Sequence, residues 1–134
     1  MPTAGEKKYP LILPPPQQGI NADLDARLST LPVIRLGELT ASDDEDLSHR
    51  TLVGLKGYVF DLTTMHKSFE SDKPFRNYAS KDISYALTKY STLPEDVNVS
   101  GYNDLSPTEL ETLDNWVSVF LLRFAVVGTL AHTT

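Results

Sequence analysis

The hydrophobic positions of this chain follow a strand pattern in its first half and a helical pattern near its end. Residues 51–55 and 58–63 are rich in β-branched and aromatic side chains, and only Lys56 and Gly57 separate them. Two such runs joined by two residues that end in glycine predict a β-hairpin. Residues 31–36 predict a further short strand, followed by about one helical turn.

The clearest helix start of the chain lies at Ser106. This serine can act as the N-cap, Pro107 suits the first helical position, and Glu109 completes a capping box. Large apolar residues then recur at helical spacing and predict one buried face. They are Leu110, Leu113, Trp116, Val117 and Phe120. A final strand is expected at 124–127, ended by Gly128.

The first thirty residues predict an arm rather than part of a core. Pro14, Pro15 and Pro16 favour an extended polyproline conformation, and a short helix can follow within 21–31. We therefore expect an N-terminal extended arm at 1–30 and one domain at 31–134.

Composition narrows the classes of function. The 134 residues suffice for one domain with a modest core, and a net charge of −6 argues against nucleic acid as a partner, although it would suit a basic protein. The chain contains no cysteine, which excludes disulfides and thiolate chemistry. No apolar run approaches the roughly 20 residues that span a bilayer. We expect a soluble protein without a transmembrane segment, cytoplasmic or peripheral to endomembranes.

Three segments, in this order, resemble a known family. They read VFDLT at 59–63, KPFRNYASKDISYAL at 73–87 and DLSPTELETLDNWVSVFLLRFAVVGTL at 104–130. These segments are similar in sequence to those of the membrane-associated progesterone receptor family, a branch of the cytochrome b5-like haem- and steroid-binding domains. The resemblance implies an α+β, cytochrome b5-like fold, in which a small mixed β-sheet and short helices bracket a ligand cleft.

The chain departs from this family at the tyrosines of the haem site. The family's ligating tyrosine corresponds to Phe75, a supporting tyrosine corresponds to Phe69, and a Lys-Tyr pair reads Arg123-Phe124. A phenyl ring can neither ligate iron nor donate a hydrogen bond. We therefore expect no cofactor and no metal, and a drier cleft that binds a small apolar ligand such as a sterol, a terpenoid or a polyketide-like molecule. If haem does bind, its ligand would be Tyr78 or His66.

Polar and aromatic residues around this region are the candidate site. His66 is a plausible general acid or base, and Asp61 and Tyr78 are further catalytic candidates. The expected ligand-binding residues are Phe69, Lys73, Phe75, Arg76, Tyr78, Asp82, Tyr85, Arg123 and Phe124.

Three alternatives to simple ligand binding stay open. The cleft could serve a cofactor-independent isomerase or cyclase in a biosynthetic pathway. The domain could bind haem for electron transfer or haem handling, beside an oxygenase or reductase partner. It could also be an adaptor that binds another protein through its acidic surface and proline-containing arm. The sequence does not decide whether the protein is an enzyme.

Overall fold

The computed structural model describes residues 13–41, 51–65, 76–99 and 104–132. Its helices are α1 (Leu24–Arg27), α2 (Leu36–Ala41), α3 (Ser84–Thr88) and α4 (Pro107–Arg123), and its strands are β1 (Val33–Arg35), β2 (Leu52–Leu55), β3 (Tyr58–Asp61) and β4 (Ala125–Ala131). Short 3₁₀ turns lie at Leu28–Thr30, Arg76–Tyr78 and Pro94–Asp96.

The four strands form one mixed sheet in the order β1-β4-β3-β2. β1 runs parallel to β4, whereas the other two pairs are antiparallel. Lys56 and Gly57 connect β2 to β3 with positive φ angles of 47° and 86°, as a two-residue hairpin turn requires. The predicted hairpin and the predicted α+β class are therefore confirmed.

Both faces of the sheet are covered. On one face, Phe120 of α4 lies in the main core, with ring centroids 5.4 Å from Phe60 and 5.1 Å from Phe124. On the other face, Leu39 of α2 packs with Val59 in a smaller cluster. The capping box predicted at the start of α4 is present, since Ser106 and Glu109 exchange both hydrogen bonds.

The last strand differs from its prediction. It continues through Gly128 to Ala131 instead of ending at Gly128, because this glycine lies where β1 approaches β4 closely. A Cβ atom at Gly128 would lie 2.7 Å from Cδ1 of Ile34 and 3.0 Å from the carbonyl oxygen of Pro32. Glycine is thus a packing requirement here and not a strand terminator.

Gly128→Ala should lower the free energy of unfolding by about 1–3 kcal/mol, because the added methyl group overpacks the junction of β1 and β4. Urea denaturation measures the effect. Ile34→Val removes the nearest atom, so the double variant should lose less than the sum of the two single changes. Additive losses would show that the Ile34 side chain does not cause the strain.

The described part of the N-terminal segment is attached to the domain. The backbone N–H of Gln17 donates to the Leu122 carbonyl at 2.8 Å, and the Arg123 guanidinium donates to the Pro14 carbonyl at 3.0 Å. Leu13 packs against the main core. Residues 1–12 lie outside the described ranges, and the domain boundary at residue 31 stays a prediction.

Candidate functional site

Asp61, Arg123 and Phe124 lie at the same end of the sheet. Asp61 is the last residue of β3 and pairs with Ala125, which directly follows Phe124. The Asp61 carboxylate accepts hydrogen bonds from the backbone N–H and the hydroxyl of Thr63, at 2.9 and 2.5 Å. We name this end of the sheet, defined by Asp61, Arg123 and Phe124, the β3/β4 end.

The two residues at the family's Lys-Tyr position lie at the junction of α4 and β4. Arg123 is the last residue of α4, and its side chain donates to the carbonyls of Pro14 and Val119. Phe124 is 2% exposed and packs against Phe120. Arg123 therefore anchors the N-terminal segment, while Phe124 contributes its ring to the core beneath this end of the sheet.

Tyr78 is buried and hydrogen-bonded. It is 2% exposed, and its hydroxyl donates to the carbonyl oxygen of Ser91 at 2.6 Å. Burial, and to a smaller extent the charge of Asp96, raises the pKa of Tyr78 above its usual range. The phenol therefore stays protonated at neutral pH. Arg76 begins the same 3₁₀ turn and is half-buried.

Asp82 lies beside Gly54 of β2, near the hairpin turn and not at the β3/β4 end. It is 1% exposed and forms a bridge to Gly54. One carboxylate oxygen accepts from the backbone N–H and the hydroxyl of Ser84, and the other lies 2.5 Å from Nε2 of His132. No local pattern in the sequence predicts this pair, because 50 residues separate the two side chains.

Tyr85 is a half-buried residue of α3 whose side chain reaches towards the start of α4. Its hydroxyl donates to Asp104 at 3.0 Å, and this hydrogen bond is the main reason that its pKa is raised. Lys89 lies 5.5 Å from the centre of the Tyr85 ring and donates to Glu109 at 2.9 Å. Tyr85 therefore belongs to a different surface from the β3/β4 end.

Four predicted site residues fall outside the described ranges. They are His66, Phe69, Lys73 and Phe75, all within 66–75. The structure therefore brings together Asp61, Arg123 and Phe124, places Asp82 and Tyr85 elsewhere, and says nothing about these four.

Of the two predicted alternative haem ligands, Tyr78 is described and engaged elsewhere, while His66 lies outside the described ranges. Ligation by tyrosine requires a phenolate, whereas Tyr78 is a buried, protonated phenol that donates to a backbone carbonyl. His132 already contacts Asp82 through Nε2. Among the described residues, no three His, Cys, Asp or Glu side chains come together in a way that could hold a metal ion.

Comparisons with known proteins agree with this fold. No protein-family model matches the chain. It is 36% identical over 91 residues to probable steroid-binding protein 3 of Arabidopsis thaliana, which covers 68% of the chain and 90% of that relative. It is 32% identical over 109 residues to membrane steroid-binding protein 1 of Oryza sativa subsp. japonica, covering 76% of the chain. That match spans only 46% of the rice protein, so the chain covers about half the length of this relative.

A solved structure shares the architecture. A hypothetical protein from Arabidopsis thaliana, described as having a cytochrome b5 like fold, superposes with a TM-score of 0.64 at 35% identity. The match covers 75% of this chain and 92% of that protein. The chain is thus a cytochrome b5-like domain. It belongs to the membrane-associated progesterone receptor family, as its three similar sequence segments had indicated. No described helix has the length and hydropathy to cross a membrane.

Proposed function

We propose that this domain binds a small apolar molecule of the steroid class at the β3/β4 end of the sheet. The observation that carries the proposal is the match to a relative named as a steroid-binding protein, which extends over 90% of that relative. At the family's ligating position, however, this chain has Phe75. A phenyl ring keeps the shape of the tyrosine side chain but offers an apolar surface in place of an iron ligand.

The described residues on either side of 66–75 support this location. Before this segment, the backbone N–H of Met65 donates to the carbonyl of Leu62, which directly follows Asp61. After it, the N–H of Ser80 donates to the carbonyl of Leu52, the residue that pairs with Asp61 across the hairpin. Described residues before and after 66–75 are thus hydrogen-bonded to the direct neighbour and the pairing partner of Asp61.

The predicted residues then divide into two roles. Phe69 and Phe75 supply apolar surface, with Phe124 in the core below. Asp61, Lys73 and Arg76 supply polar groups for the few oxygen substituents of a steroid. Catalysis by His66, Asp61 or Tyr78 stays a prediction, as do an oxygenase or reductase partner and the cytoplasmic location.

The proposal predicts that the protein binds a steroid but does not ligate haem. Equilibrium dialysis of the purified protein with radiolabelled progesterone should show saturable binding at one site. Titration with haemin should give no shifted Soret band, because Phe75 cannot ligate iron. Phe75→Tyr should introduce such a band, whereas Phe75→Leu, the matched control, should not.

Two results would contradict this prediction. A shifted Soret band of the wild-type protein that disappears in His66→Ala would assign the domain to the haem-binding class. Absence of saturable binding of progesterone, and of a second radiolabelled sterol tested in the same way, would remove the steroid-class ligand.

A further inference from the structure

Tyr90 occupies a backbone position that normally belongs to glycine. It follows the C-cap of α3 with φ at 54°, its N–H donates to Leu87, and the N–H of Ser91 donates to Ala86. These two bonds define a Schellman motif, in which the left-handed residue is usually glycine because a side chain there is unfavourable.

Burial does not compensate for this conformation, because Tyr90 is 63% exposed. An exposed aromatic ring on an unfavourable backbone contributes little to folding. Such residues cluster at sites that bind ligands or partners.

Tyr90 stands between two adjoining surface grooves. One has a volume of about 250 Å³ and lies along α4, where Tyr90 faces Trp116 and Val119. The other, of about 620 Å³, continues past Tyr90 to Leu93 and Asp96. Of the four large apolar residues exposed in the described ranges, two line these grooves, namely Tyr90 and Leu93. We call this surface the Tyr90 groove.

Three carboxylates lie at the Tyr90 groove. Asp96 lines it, Asp104 accepts a hydrogen bond from the lining residue Tyr85, and Glu109 accepts one from the lining residue Lys89. Lys89 is engaged by Glu109, and Lys56 from the hairpin turn by Asp114. No described residue forms an ion pair with Glu95 or Glu111. A negative rim around apolar side chains repels nucleic acids and anionic lipids and attracts cationic groups.

We propose that the Tyr90 groove is a docking surface for a basic, amphipathic helical segment of another protein. Leucine-like side chains of that segment would pack on Tyr90, Trp116 and Val119, while its lysines or arginines would meet the carboxylates of the rim. The Tyr90 groove shares no lining residue with the β3/β4 end, so the inference goes beyond small-molecule binding and does not depend on it.

The fluorescence of Trp116, the single tryptophan of the chain, gives a direct test. The probe is a helical peptide of about 18 residues, built from leucine and lysine with all leucines on one face. Saturable quenching or enhancement is expected, and it should weaken as the salt concentration rises. A peptide of the same pattern with glutamate in place of lysine should not bind, and neither should one with serine in place of leucine.

Variants of Tyr90 separate binding from folding. Tyr90→Gly and Tyr90→Asn both suit the left-handed backbone, so they should leave the unfolding temperature unchanged or higher while weakening peptide binding about tenfold or more. Tyr90→Phe keeps the ring and should bind as the wild type does. Peptide affinity that is unchanged in Tyr90→Gly would overturn the proposal. Binding to phosphatidylcholine vesicles that is as tight as peptide binding and also depends on Tyr90 would overturn the proposal as well, because it would assign the groove to a lipid surface.

Discussion

Asn21→Ala should destabilise the protein by about 2–4 kcal/mol, because the partly buried side-chain amide of Asn21 makes three hydrogen bonds to the backbone. Its NH₂ group donates to the carbonyls of Leu121 and Phe124, at 2.7 and 2.8 Å. Its oxygen accepts from the N–H of Val126 at 2.9 Å. The carbonyls at the end of a helix have no partner within the helix, so this side chain stabilises the passage from α4 to β4.

Two further variants make the test of Asn21 specific. Asn21→Asp keeps the acceptor for Val126 but directs a carboxylate oxygen at two carbonyls, so it should be at least as destabilising as alanine. Asn115→Ala, on the exposed side of α4, should change stability by less than about 0.5 kcal/mol. Urea unfolding followed by circular dichroism measures all three. Wild-type stability of Asn21→Ala would mean that residues 13–22 contribute nothing to the fold through this contact.

Asp82→Ala should cost a similar amount, about 2–4 kcal/mol. The change leaves the hydroxyl and N–H of Ser84 without their acceptor in a buried position. It also removes the partner of His132, whose side chain is 29% exposed and can be hydrated instead. His132→Gln should therefore cost less than Asp82→Ala.

A double-mutant cycle measures how strongly Asp82 and His132 interact. The double variant should lose less stability than the sum of the single losses, with a coupling energy of about 1–3 kcal/mol. Asp114→Ala is the control, since Asp114 is 60% exposed and its ion pair with Lys56 should contribute at most about 1 kcal/mol. Strictly additive losses would show that the contact with His132 does not stabilise the fold.

Local signals predicted the elements of this fold well. The capping box of Ser106 and Glu109 depends on residues three positions apart, and the hairpin turn at Lys56-Gly57 depends on two neighbours. Such contacts depend only on residues close together in the sequence, so a short stretch is enough to predict them. The order of the three resembling segments then indicated the family and with it the cytochrome b5-like arrangement.

The candidate site was less predictable, because its residues meet only after the sheet has formed. Asp61 and Phe124 are brought together by the register of β3 on β4. Tyr78 and Tyr85 lie only seven positions apart in the same motif, yet one is buried against Ser91 and the other pairs with Asp104 on the surface. Sequence reasoning placed both in one cleft, since spacing does not show which way each side chain turns.

By itself, the sequence determined the type of most elements, the α+β class and the family, since all of these depend on residue identity and short-range spacing. Only the tertiary structure decided that Gly128 continues a strand, that Asn21 joins the N-terminal segment to the end of α4, and that His132 meets Asp82. Each of these depends on groups brought within about 3 Å by chain segments far apart in sequence, and no local pattern encodes such a meeting.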